Sequence, residues 1–257
     1  MNLLGDAYAM LGRHLRSSVR MPVWVVVELI QPAIWLVLYG QLFRSVALIP
    51  GFTGGSYIQF LMPGIVVMDS LFGAAWAGMG ILTDLDRGVL DRLLTTPASR
   101  TGIILARVLH SAVVVAVQTV VVVVIALMVG ARLGGGVEGA VLLLVVAMLE
   151  AAGFAAASNG LTLLVRREET FIAVLNLFTL PLTFLSATLM SQSLMPGWMR
   201  AAARFNPVNW AAHAARLATS RPAALGPALP YLLPLAGFAL VAGAFATWAF
   251  SVYRRAT

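Results

Sequence analysis

The chain has 257 residues, of which 60% are hydrophobic and 11% charged, with a mean hydropathy of +0.92. That much apolar surface exceeds what one water-soluble core can bury, so lipid is its solvent and a soluble globular domain is excluded. Seventeen basic residues against ten acidic give a formal charge of +7, and the absence of cysteine excludes disulfides, thiolate metal sites and a thiol nucleophile.

Every basic residue is arginine, and the arginines stand at the ends of apolar runs, which makes them topology determinants and not a nucleic-acid surface. At the start of the chain, Leu4, Ala7, Tyr8, Leu11 and Leu15 form an apolar stripe opposite Asp6, Arg13, Arg16 and Arg20. This predicts a helix over residues 1–21 lying in the inner membrane interface. No small-residue cleavage pattern follows the first apolar run, so no removed signal peptide is expected.

Crossing about 30 Å of hydrocarbon at 1.5 Å per residue takes roughly 20 residues with few charges. Six runs qualify, at about 22–43, 57–83, 101–129, 137–165, 171–190 and 230–253. Each is predicted to be helical, because backbone groups in lipid must be bonded within their own segment. The same rule makes Val113 to Val124 a helix although its β-branched residues would favour a strand in water. The predicted fold class is thus an all-α integral membrane protein, one transmembrane domain over 1–257, with no sequence repeat and no soluble domain.

Between the second and third runs lies the most strongly charged stretch, Leu85 to Leu94 (LDRGVLDRLL). Leu85, Val89, Leu90, Leu93 and Leu94 fall on one helical stripe, and Asp86, Arg87, Asp91 and Arg92 cover the rest. Arg87 and Asp91 are spaced to pair across one turn, and Pro97 stops the helix. The spacing predicts a short surface helix over 85–94 at the membrane edge, with a face for a partner.

Between the last two runs, Met195-Pro196-Gly197-Trp198 and Asn206-Pro207-Val208-Asn209-Trp210 break an apolar stretch into two helices too short to cross. They predict a re-entrant hairpin over 191–213, with Trp198 and Trp210 at headgroup depth. Eleven arginines (13, 16, 20, 87, 92, 100, 107, 166, 167, 254 and 255) flank one side of the spans, whereas the short connections on the other side hold only Arg44 and Arg132. Both termini and the 85–94 helix are therefore expected in the cytoplasm, and the hairpin outside; its four arginines lie in a long connection that counts weakly in this rule.

Asp69 stands near the middle of the second span and Glu150 near the middle of the fourth, where an ionised carboxylate costs on the order of 3 kcal/mol. One reading is a cavity lined by one or both, attracting a cationic amphiphile; the other is a protonated or hydrogen-bonded carboxyl tying helices together. Glu28 is expected to reach the cytoplasmic interface toward Arg20 or Arg107, and His110 to be a polar anchor. Gln118 and Asn159 read as amides bonding neighbouring helices, and Gly73, Gly78 and Gly80 permit close helix approach or sliding.

Four pieces in order resemble the type-2 ABC transporter permeases, in particular their antibiotic-exporter branch with the daunorubicin-resistance membrane subunit. They are Gln31 to Phe43, Tyr57 to Ile65, Asp86 to Arg100, and Phe205 to Asn209. The resemblance implies six spans, an amphipathic connecting helix at the start, and outer re-entrant helices before the last span. It implies that Asp86, Arg87, Gly88, Val89, Leu90, Asp91, Arg92, Leu93 and Leu94 form a coupling helix ended by Pro97 and docked on an ATPase subunit. Asn206 and Pro207 would belong to the outer gate, and two permease copies would pair with two ATPases.

The chain has no lysine and no GxxxxGK[ST] loop, so it lacks the means to hold ATP phosphates in that way. The expectation is that this chain binds no cofactor or metal, that ATP and Mg sit on the partner ATPase, and that a hydrophobic or amphiphilic compound is moved outward across the plasma membrane. The competing classes are an ion-coupled secondary transporter, which calls for matched broken helices in repeated halves, and an intramembrane enzyme using Asp69, Glu150 or His110, which has no HExxH or GxSxG pairing here.

Overall fold

The computed structural model describes residues 12, 22–45, 57–89, 100–190, 192 and 195–255. Among these, every regular element is helical: α1 (Pro22–Leu42), α2 (Tyr57–Ala75), a 3-10 turn (Trp76–Gly78), α3 (Met79–Asp86), α4 (Arg100–Met128), α5 (Gly136–Val165), α6 (Glu168–Phe184), α7 (Gly197–Ala203), α8 (Pro207–Ser220) and α9 (Leu225–Arg255). The interfacial helix expected over 1–21 lies outside the described residues, Gly12 excepted.

Among the described residues, four stretches are long and apolar enough to cross a bilayer: Tyr57–Asp86, Thr101–Met128, Gly136–Val165 and Leu225–Arg254. The chain is therefore a multi-pass membrane protein. The valine run 113–124 is helical throughout within α4, and Val117, Val120 and Val124 are exposed on its outer side.

The centre of the bundle is α5, which packs against α9, α4, α8 and α2. Its sequence explains this position: Ala147, Ala151, Ala155, Gly153 and Gly160 keep the helix thin, which permits the close approach that membrane helices use. A Cβ at Gly153 or Gly160 would come within 2.6 Å of the Phe238 or Phe245 ring of α9, so the aromatic side chains fill the space the glycines leave. Helix α1 rests on α2 and α4, and α6 along α2 and α5.

Three boundaries correct the sequence reading. The helix of the fifth run, expected over 171–190, spans Glu168–Phe184, and 185–190 are irregular. The Thr179, Thr183 and Ser186 hydroxyls donate to carbonyls three or four residues back at 2.5, 2.8 and 2.6 Å, bending backbone groups away from the helical ladder at this end. The last helix starts at Leu225, ahead of the expected 230, and carries Pro230 and Pro234 inside it. The second helix of the hairpin runs to Ser220, past the expected 213.

The Tyr57–Asp86 stretch is also interrupted. At Trp76–Gly78 the α-ladder tightens to a 3-10 turn, and Ser158 of α5 supplies what the break leaves unpaired: its hydroxyl accepts from Gly78 N at 3.0 Å and donates to Ala75 O. Only glycine fits at 78, because a Cβ there would collide with the Thr162 and Ser158 hydroxyls.

Candidate functional site

The end of the second span differs from the surface helix expected over 85–94. Leu85 and Asp86 are the last residues of α3 and not the first of a separate helix. Helix α3 stops at Arg87 and Gly88: Gly88 takes φ of +63°, and its N–H returns to Leu85 O at 3.0 Å. This is a glycine helix stop, in a conformation that residues with a Cβ rarely adopt. The amphipathic stripe counted across Gly88 obscured it. Asp86 and Arg87 are exposed, Val89 is half-buried, and Leu90, Asp91, Arg92, Leu93, Leu94 and Pro97 lie outside the described residues. Arg87 is the C-terminal cap of α3, and the pairing expected for it with Asp91 lies outside the described residues.

Just above this end, Asp84 of α3 and Arg107 of α4 form an ion pair. It fastens the end of α3 to α4. Arg107, one of the two arginines toward which Glu28 was expected to reach, has Asp84 as a carboxylate partner, and the Glu28 side chain is not among those described. An Asp at the end of one span and an Arg at the start of the next were a readable signal.

Asp69 and Glu150 are separated. Half-buried Asp69 lines a cavity of about 430 Å³ between α1, α2 and α6, walled by Trp35, Tyr39, Phe72 and Phe184 with Gln31 and Thr183 as its polar neighbours. Glu150 is fully buried and accepts a hydrogen bond from Ser70, the residue after Asp69. Successive residues on a helix point about 100° apart, so α2 offers Asp69 to the cavity and Ser70 to α5. Glu150 does not line this cavity.

His110 is half-buried on α4, and Gln118 and Asn159 are buried. Asn159 does not bond a neighbouring helix among the described residues: both polar atoms of its side chain are without partners.

The hairpin α7–α8 is stitched to the irregular segment after α6. Asn206 caps α8, its Oδ1 accepting from Val208 N at 3.0 Å, and Pro207 at the first helical position needs no acceptor there. The Asn206 amide donates to Leu182 O at 2.7 Å and Leu185 O at 3.0 Å. Asn209 accepts from Ala187 N and donates to Ala203 O, both at 3.0 Å. Arg216 donates to Thr188 O at 3.1 Å, and its guanidinium lies 4.0 Å from the centre of the Phe60 ring of α2. Burial pushes Arg216 down to about 10, with Tyr57 opposing, so it stays charged at neutral pH. His213, bonded to Gln192 at 2.9 Å and stacked on Tyr231, is pushed down by burial and by the Arg216 charge. Sequence reasoning passed over Arg216 and His213 because it counted the hairpin arginines only for topology.

The bundle of apolar helices, with a cavity between α1, α2 and α6, defines a helical membrane protein. A family model described as ABC-2 type transporter matches residues 6–219. The putative transport permease ycf38 of Pyropia yezoensis is 28% identical over 216 residues, covering 84% of this chain and 74% of that protein. Its counterpart in Porphyra purpurea is 29% identical over 210 residues, 81% and 72% of the two chains. The daunorubicin resistance ABC transporter permease protein DrrB1 of Streptomyces coeruleorubidus is 29% identical over 212 residues, 80% and 72%. The chain belongs to the ABC-2 type transporter family and is a permease, the membrane subunit of an ABC transporter. Permeases of this family work with ABC ATPase subunits.

Proposed function

We propose that this permease exports an amphiphilic cation from the cytoplasm or inner leaflet, driven by a separate ATPase that holds the ATP and Mg. The observation that carries this reading is Asp69 in a cavity walled by Trp35, Tyr39, Phe72 and Phe184. A carboxylate in low dielectric attracts positive charge, and aromatic faces add cation–π attraction while accepting an apolar body. Glu150 takes the other role considered for it, a tie between helices: its complete burial and its bond from Ser70 support this.

The membrane frame consistent with this reading has six spans: α1, α2 with α3, α4, α5, α6 and α9. At 17 residues α6 extends about 25 Å, enough for most of the hydrocarbon. With both termini in the cytoplasm, the plasma membrane as the site, and Asp86 to Leu94 engaging the ATPase, the stitched hairpin with Asn206 and Pro207 forms the outer gate. Leu38, Leu42, Leu177 and Phe178 are exposed on α1 and α6, two of the helices that line the cavity, and in this reading a second permease copy packs there, with two ATPases in all.

The test is reconstitution of the permease with its ATPase in proteoliposomes, reading ATP hydrolysis and uptake for a panel of cationic, neutral and anionic amphiphiles. Cationic compounds should stimulate hydrolysis, and Asp69→Asn should reduce that stimulation selectively. Equal stimulation by neutral and cationic members, unchanged in D69N, would overturn the assignment.

A further inference from the structure

A second, chemically opposite pocket of about 580 Å³ lies in the hairpin region, lined by Gln192, Arg200, Arg204, Trp210, His213 and Tyr231, together with Asn209 and Pro230. No carboxylate is among its lining residues, and among the described residues neither Arg200 nor Arg204 forms an ion pair. Two guanidinium groups, four residues apart and so on one helical face, turn uncompensated positive charge into one concavity.

The other polar groups set what such a site can accept. The Trp210 indole N–H is committed to Arg204 O at 2.7 Å, which fixes the arginine-bearing turn against α8, and Asn209 is committed on both of its amide atoms. With Gln192 Oε1 taking the bond from His213, the Gln192 amide N–H groups remain as donors beside the two arginines. The pocket thus offers charged and neutral donors to a compact anion with several acceptor oxygens, for which guanidinium geometry is suited. Trp198 on α7 and Phe205 just past its end are 69% and 83% exposed, aromatic side chains of the kind that favour headgroup depth.

We propose that this pocket binds a phosphate group, presented by an anionic lipid headgroup or as free phosphate. Its location on the outer face follows from the topology proposed above, but the binding itself depends on neither the cargo nor the ATPase.

The full-length permease in detergent micelles is titrated with dihexanoyl phosphatidylglycerol, dihexanoyl phosphatidylcholine and inorganic phosphate, with no ATPase and no cargo present. The zwitterionic lipid should bind about tenfold more weakly than the anionic one, a difference that R200Q/R204Q removes and R200K/R204K keeps in part. Arginine-dependent binding of phosphatidylglycerol identifies a lipid headgroup as the source, and arginine-dependent binding of inorganic phosphate alone identifies the free anion. If neither phosphatidylglycerol nor inorganic phosphate binds in a manner that depends on Arg200 and Arg204, the site does not exist. Because both side chains are exposed, the glutamine variant should unfold at the wild-type temperature, and this control separates lost binding from lost structure.

Discussion

Replacing Asn206 by alanine removes three hydrogen bonds at once: the cap on Val208 N and the donations to Leu182 O and Leu185 O. Loss of a cap costs about 1 kcal/mol, and each neutral amide-to-carbonyl bond contributes about 1 kcal/mol. With Asn206 only 4% exposed, water does not readily replace them, so the expected loss is about 3 kcal/mol. For a chain of this size that corresponds to a fall of roughly 6–12 °C in unfolding temperature. Serine keeps the cap alone and should lose about 2 kcal/mol. Aspartate also caps, but it sets a carboxylate against two carbonyl oxygens and should be at least as damaging as alanine. Thermal unfolding in detergent, with amide hydrogen exchange at Val208 and in the segment after α6, reads both effects. If N206A stays within about 0.5 kcal/mol of wild type, as an ordinary surface change would, or if N206D matches wild type, Asn206 does not hold the hairpin.

Reversing the charges at Asp86 and Arg87 together should abolish ATP-driven transport in proteoliposomes while leaving membrane insertion and unfolding temperature unchanged, since both side chains are exposed. For Gly78→Leu, the collision with Ser158 and Thr162 should lower the yield of monodisperse protein in size-exclusion chromatography severalfold. His213 is held below its usual value, so the unfolded chain binds its proton first as pH falls. Stability should therefore decline from about pH 6.5 downward through the lowered value, and His213→Gln should flatten that part of a pH–unfolding profile.

The apolar runs located the core helices within a few residues because hydrocarbon thickness fixes their minimum length. Where the reading failed, hydropathy was asked to distinguish two states it treats alike. Leu185 to Met190 is as apolar as a helix end, but its backbone is satisfied by Asn206, Asn209 and Arg216 from thirty or fewer residues downstream, partners that no local pattern announces. Asp69 and Glu150 looked equivalent as lone carboxylates in lipid. Their separation depends on which face of α2 and of α5 meets the other, and that is a packing fact. The glycine stop at Gly88 was visible in the letters and was masked by a stripe counted through it. Membership in the ABC-2 family was legible from four ordered motifs, none of which says what fills the cavity.

The 3-10 turn at Trp76–Gly78 divides the second span into two stiff rods joined at one point, with Ser158 as the pin. The Asp84–Arg107 pair ties the shorter of the two to α4. In the proposed reading, a thrust from the ATPase beneath Gly88 would have to cross this joint to reach the helix that bears Asp69.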